Sequence, residues 1–104
     1  MTRLEKLQEF LKADPNDSFT QYAIGLEYHA MHDLPKAIEA LETVVSRDPG
    51  YVATYYQLAE YYSQANDKDK ARQCYQKGIV QARAANDLHT LSELQTALDE
   101  LDDE

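Results

Sequence analysis

Hydrophobic positions along this chain recur at helical spacing, and no segment shows the alternation of a strand. Tyr22, Leu26 and His29 fall on one stripe, and Ile24, Gly25 and Tyr28 on the stripe beside it. Ala37, Ile38, Leu41, Val44 and Val45 follow at spacings of one, three, three and one, the mark of an apolar helix face. Between the two patterns lies His32-Asp33-Leu34-Pro35. Asp33 is the expected N-cap, and Pro35 suits a first helical turn, where its missing N–H leaves no bond unmade. Asp67 plays the same part before Lys68. Asp14-Pro15 and Asp48-Pro49-Gly50 are stop signals, since Pro and Gly disfavour a helix interior.

The pattern repeats. A shift of 34 residues lays Asp14-Pro15 on Asp48-Pro49, Tyr22 on Tyr56, Tyr28 on Tyr62, Asp33 on Asp67, Lys36 on Lys70 and Ala37 on Ala71. Similar residues fill other sites: Ile24 and Leu58, Gly25 and Ala59, Leu41 and Tyr75, Val45 and Ile79. Most pairs keep one physical character, and each unit is expected to be helix, tight turn, helix. Gly25 and Ala59 are small on a helix-facing stripe, as are Ala37 and Ala71 where the second helix faces back. Small side chains let backbones approach, and a large residue at Gly25 would overpack the pair.

These residues resemble tetratricopeptide repeats. The likeness rests on the 34-residue period, the Gly25/Ala59, Tyr28/Tyr62, Ala37/Ala71 and Leu41/Tyr75 sites, and the closing Pro49. It implies an all-α, helix-turn-helix solenoid of about six antiparallel helices in one domain over residues 1–104. Whole repeats fall at 18–51 and 52–85. Residues 3–15, with Leu4, Leu7, Phe10 and Leu11, read as the second helix of a repeat whose first helix is absent. Residues 86–104 read as a capping helix and acidic tail, with Leu88, Leu91, Leu94, Leu98 and Leu101 in a narrow stripe. Two repeats alone bury their apolar faces poorly, and the flanking helices complete the stack. There are departures. Gln21 stands at a site where the family often has Trp, filled by Tyr55 in the second repeat. Val44 and Gly78 take a site usually held by Ala, and Gly78 weakens its helix. Arg83 replaces the closing proline, so the last repeat helix is expected to run on past it.

Composition narrows the function. Ten Lys and Arg against nineteen Asp and Glu give a net charge of −9. That argues against a nucleic-acid ligand or adhesion to anionic lipid, both of which need a basic face. No run of apolar residues is long enough to span a membrane, and no secretory signal follows Met1, so the expected address is the cytoplasm. Three scattered glycines exclude a phosphate-binding loop and a dinucleotide fingerprint. The lone Cys74 is expected near the outer surface without a catalytic role, because activation needs an electropositive setting. His29 and His32 are three apart, but spacing dictates no third ligand, and His89 reads as a surface residue. No metal or cofactor is expected, and no catalytic set presents itself.

The resemblance implies instead that the concave groove, lined by the first helix of each repeat, binds a peptide or helix of another protein. Its register maps that groove to Phe19, Tyr22, Leu26 and His29, then to Ala53, Tyr56, Gln57, Glu60 and Ser63. Tyr22 and Tyr56 are the natural anchors, combining large contact area with few torsions. Members that clamp a terminal carboxylate do so with Lys and Asn. The matching Tyr22, Leu26 and Gln57 supply no cation, so an apolar or basic ligand fits better. Tyr28, Tyr62 and Tyr75 are expected in the core, whereas Tyr51, Tyr55 and Tyr61 suit either core or surface. The alternative function is homodimerisation through Leu91, Leu94, Leu98 and Leu101, whose spacing is that of a coiled coil.

Overall fold

The computed structural model describes residues 1–104 and contains six helices. They are α1 (Arg3–Ala13), α2 (Ser18–Ala30), α3 (Leu34–Arg47), α4 (Ala53–Gln64), α5 (Lys68–Ala84) and α6 (Leu88–Asp102). There is no strand, and no helix is long and apolar enough to cross a membrane. The chain forms two compact units, Met1–Asp48 and Pro49–Glu104.

Local chemistry sets the helix ends. Thr2 begins α1 with a capping box: its hydroxyl accepts from the Glu5 N–H, and the Glu5 carboxylate accepts from the Thr2 N–H. These hydrogen bonds from Thr2 hold the Glu5 carboxyl below its ordinary pKa. Asp33, Asp67 and Asp87 cap α3, α5 and α6, each accepting a backbone N–H three residues on. Pro35 lies in the first turn of α3 as expected. Before Pro15 and Pro49, Asp14 and Asp48 leave helical geometry with φ of −141° and −143°, as the following proline ring requires. Without that proline, α5 runs to 17 residues where α3 has 14, passing Arg83.

Three turns share a device that local propensity did not reveal. His32, Asn66 and Asn86 have positive φ of 61°, 62° and 56°. At each, the next N–H reaches back five residues: Asp33 to the Tyr28 carbonyl, Asp67 to Tyr62 and Asp87 to Ala82, each at 2.9 Å. The left-handed residue itself donates to the carbonyl three residues back. This is the Schellman arrangement, which satisfies carbonyls at the helix end and turns the chain within two residues. Asn tolerates the left-handed region; His does so less readily.

In the first unit α2 packs against α1 and α3. Its core gathers Leu7, Ala23, Ile24 and Ala40, with Leu4, Leu11 and Tyr28 packed around them. Gly25 is buried, and a Cβ there would stand 2.5 Å from Leu41 Cδ2 and 2.9 Å from its Cγ. In the second unit α5 packs against both α4 and α6. Gly78 is the tightest point: a Cβ would meet Tyr55 Cβ at 2.6 Å and Leu94 Cδ1 at 3.0 Å. Because α5 has a helix on either side, its buried arc is wide. Ala71, Cys74, Tyr75, Gly78 and Ala82 all lie within it. Cys74 is therefore only 7% exposed, which corrects its expected place near the outer surface. Ala40, one period earlier, is buried too. Of the three undecided tyrosines, Tyr55 and Tyr61 are buried and Tyr51 half-buried. The Tyr55 hydroxyl donates to the Pro49 carbonyl, which makes its burial affordable. Tyr75 is buried as expected, but Tyr28 and Tyr62 are half-buried. Lys36 and Lys70 lie over those two rings at 5.7 and 5.5 Å from the centroids. The acidic end is engaged as well: Arg72 Nε donates to Asp102 at 2.8 Å, and Lys68 Nζ is 3.8 Å from the Glu104 carboxylate.

Two substitutions test this account in opposite directions. His32→Gly relieves the left-handed turn and raises stability by about 1 kcal/mol in chemical denaturation. Gly78→Ala improves helix propensity, worth about 1 kcal/mol in an open helix, yet lowers stability here by about 1–3 kcal/mol through the clash with Tyr55. A Gly78→Ala protein as stable as the parent contradicts the close packing of α4 and α5.

Candidate functional site in the second unit

The residues expected to line a groove stand on α2 and α4 and are considered unit by unit. In the first unit Tyr22, Leu26 and His29 are half-buried along α2, while Phe19 is 65% exposed at its start. The notable opening of this unit lies elsewhere. It occupies about 290 Å³ and is floored by Leu11, Ile24, Tyr28 and Ala40, with polar groups such as Gln8 and Gln21 around them. None of the four expected residues lines it.

In the second unit Tyr56, Gln57 and Glu60 are half-buried on α4, and Ala53 and Ser63 are exposed. Here an open pocket of about 290 Å³ forms beside Tyr56. The rest of its lining comes from α6: His89, Ser92, Glu93, Thr96, Ala97 and Glu100. The Tyr56 ring stands edge-on to Tyr75, with centroids 6.1 Å apart and planes at 71°. Tyr75 is only 5% exposed, so Tyr56 is backed by core.

Three carboxylates act on this aromatic pair. Partial burial raises the pKa of the Tyr56 phenol first; its hydrogen bond to Glu60, and then the charges of Glu60, Glu93 and Glu100, raise it further. Tyr75 is pushed up to about 12, chiefly by burial and then by the charge of Glu60. Glu93 also lies 3.2 Å from His89 Nε2. The pocket thus combines an aromatic wall with a negative field.

Of the groove residues expected on α4, only Tyr56 lines this pocket; Ala53, Gln57, Glu60 and Ser63 do not, and the other lining residues come from α6, which the repeat register does not assign to a groove. Beside its leucines α6 carries a polar stripe: His89, Ser92, Glu93, Thr96 and Glu100 recur at intervals of one, three and four residues. That spacing was the available signal. Four of the five leucines turn inward, Leu94 and Leu101 buried and Leu91 and Leu98 half-buried, whereas Leu88 is 66% exposed. His29 and His32 part company, since His32 occupies the exposed left-handed turn.

Comparison with known proteins agrees with this architecture. The tetratricopeptide repeat family matches residues 28–93, so the chain belongs to that family. It is 27% identical over 99 residues to the TPR repeat-containing protein PA0015 of Pseudomonas aeruginosa, covering 95% of this chain and 94% of that one. It is 35% identical over 79 residues to Tetratricopeptide repeat protein 37 of Xenopus laevis, covering 70% of this chain but spanning only 5% of that protein. Among solved structures, a tetratricopeptide repeat domain protein from Salinibacter ruber superposes with a TM-score of 0.81 at 38% identity, covering 85% of this chain and 89% of that one. The TPR2B domain of yeast Sti1, solved as a complex with pHsp70, shares the fold with a TM-score of 0.88 at 15% identity, covering 96% of this chain and 80% of that one.

The two tyrosines give the site a pH signature. An unfolded phenol titrates near pH 10, whereas Tyr75 in the fold titrates near 12. Its raised pKa contributes stability that is whole below pH 10 and is lost as pH rises through about 12. Alkaline absorbance titration should show a late phenolate phase near 12 that Tyr75→Phe removes. A Tyr75→Phe protein retaining that phase contradicts the assignment.

Proposed function

We propose that this chain is a non-catalytic, cytoplasmic protein-binding module that holds a peptide or helix of a partner protein against its tyrosine-bearing first-helix faces. The observation that carries the reading is the open pocket beside Tyr56, at a position the repeat register assigns to a ligand face. Tyr56 offers a half-buried ring backed by Tyr75, a rigid surface that loses little entropy on binding. Tyr22 is the matching residue of the first unit. The TPR2B domain of Sti1, solved as a complex with pHsp70, shares this fold, which supports the class of function. The acidic composition weighs against nucleic acid and anionic membrane as ligands.

Homodimerisation through the α6 leucines is less well supported. Leu94 and Leu101 are already buried, so pairing would rely on the half-buried Leu91 and Leu98.

The test is affinity capture with the intact chain beside a Tyr22→Ala, Tyr56→Ala double variant whose circular dichroism matches the parent. The expected result is a partner held by the intact protein and lost by the folded variant. A partner held equally by both contradicts the role of the tyrosine faces.

A further inference from the structure

The pocket of the second unit has a charge character that narrows its ligand. Tyr56 forms one wall, Glu93 and Glu100 stand on the α6 side, and the lining contains no lysine or arginine. Glu60 does not line the pocket but acts on the Tyr56 phenol from the same helix, α4. Three cations of the unit are engaged elsewhere, Arg72 with Asp69 and Asp102, Lys68 with Glu104 and Lys70 over Tyr62, while His89 of the lining lies 3.2 Å from Glu93.

The chain already uses the complementary chemistry within itself. Lys36 lies over Tyr28 and Lys70 over Tyr62, so a lysine resting on a tyrosine face recurs in both repeats. At Tyr56 the comparable aromatic surface faces an open pocket instead. A cation there would gain the field of the ring and of the carboxylates together, in a recess where water is partly displaced.

We propose that the Tyr56 pocket receives a lysine or arginine side chain of the partner protein, its stem against the Tyr56 ring and its charge facing Glu93 and Glu100. This rests on the protein-binding reading above and specifies the residue class that the site selects. The occupant is a basic segment; an acidic segment or a free terminal carboxylate meets repulsion at the same place.

Nuclear magnetic resonance titration of the full chain tests it with two capped tripeptides, acetyl-Ala-Arg-Ala-amide and the uncharged acetyl-Ala-norleucine-Ala-amide. The arginine peptide should shift the backbone amides of Tyr56, Ser92, Thr96 and Ala97, with an affinity about fivefold or more above that of the norleucine peptide. The double variant Glu93→Gln, Glu100→Gln, altered at exposed positions only, should bring the arginine peptide down to the norleucine level. Equal affinity of the two peptides for the intact chain, an arginine affinity unchanged in the variant, or no arginine-peptide shift at these amides overturns the proposal. If the norleucine peptide saturates the same amides equally well, the cation preference falls while the binding face stands. If neither peptide acts there and the Tyr22, Tyr56 double variant still captures its partner, the binding face falls too.

Discussion

Close approach of helices is the constraint on which the candidate site depends, and in the second unit Gly78 is where it is tightest. A single added carbon there would meet Tyr55 on α4 and Leu94 on α6 at once. One hydrogen in place of a side chain thus sets how near both helices come to α5. Tyr56 is the residue after Tyr55, and Glu93 the residue before Leu94. Tyr56 and Glu93 thus stand on the two helices that Gly78 lets approach α5, although Gly78 itself does not line the pocket. Helix propensity is sacrificed at that position for packing, a local conflict that the tertiary contacts outweigh.

The turns work to the same end by different chemistry. A left-handed residue followed by a capping aspartate reverses the chain between α2 and α3, α4 and α5, and α5 and α6. Loss of the closing proline lengthens α5 and lets Asn86-Asp87 repeat the Asn66-Asp67 device. The result brings α6 against α5, with its leucines inward and its carboxylates beside Tyr56. Electrostatics then follows from placement. Glu60, Glu93 and Glu100 come from two helices, yet all three act on the same phenol.

Much of this was legible in the sequence because repetition supplies an internal control. Every position in one repeat can be checked against its counterpart 34 residues away. The caps at Asp33 and Asp67, the stops at Asp14-Pro15 and Asp48-Pro49, and the extension of α5 past Arg83 rest on short-range backbone chemistry, and the structure contains them. What was not legible depends on more than one neighbour. Cys74 is expected near the outer surface, but α5 packs against a helix on either side and buries it. Tyr55 is buried through a hydroxyl bond to Pro49, which spacing does not disclose. The pocket-lining side of α6 is masked by the leucines that dominate the pattern, although its polar stripe is equally periodic.

The central claim is that Gly78 holds α4 and α6 close enough to form the acidic tyrosine pocket. The most direct measurement is a nuclear Overhauser experiment on the labelled chain in solution. The account predicts cross-peaks from the Gly78 α-protons to the Tyr55 β-protons and Leu94 methyls, together with cross-peaks from the Tyr56 ring to side-chain protons of Thr96 or Ala97. Absence of the Gly78 cross-peaks while α4, α5 and α6 remain helical would contradict it.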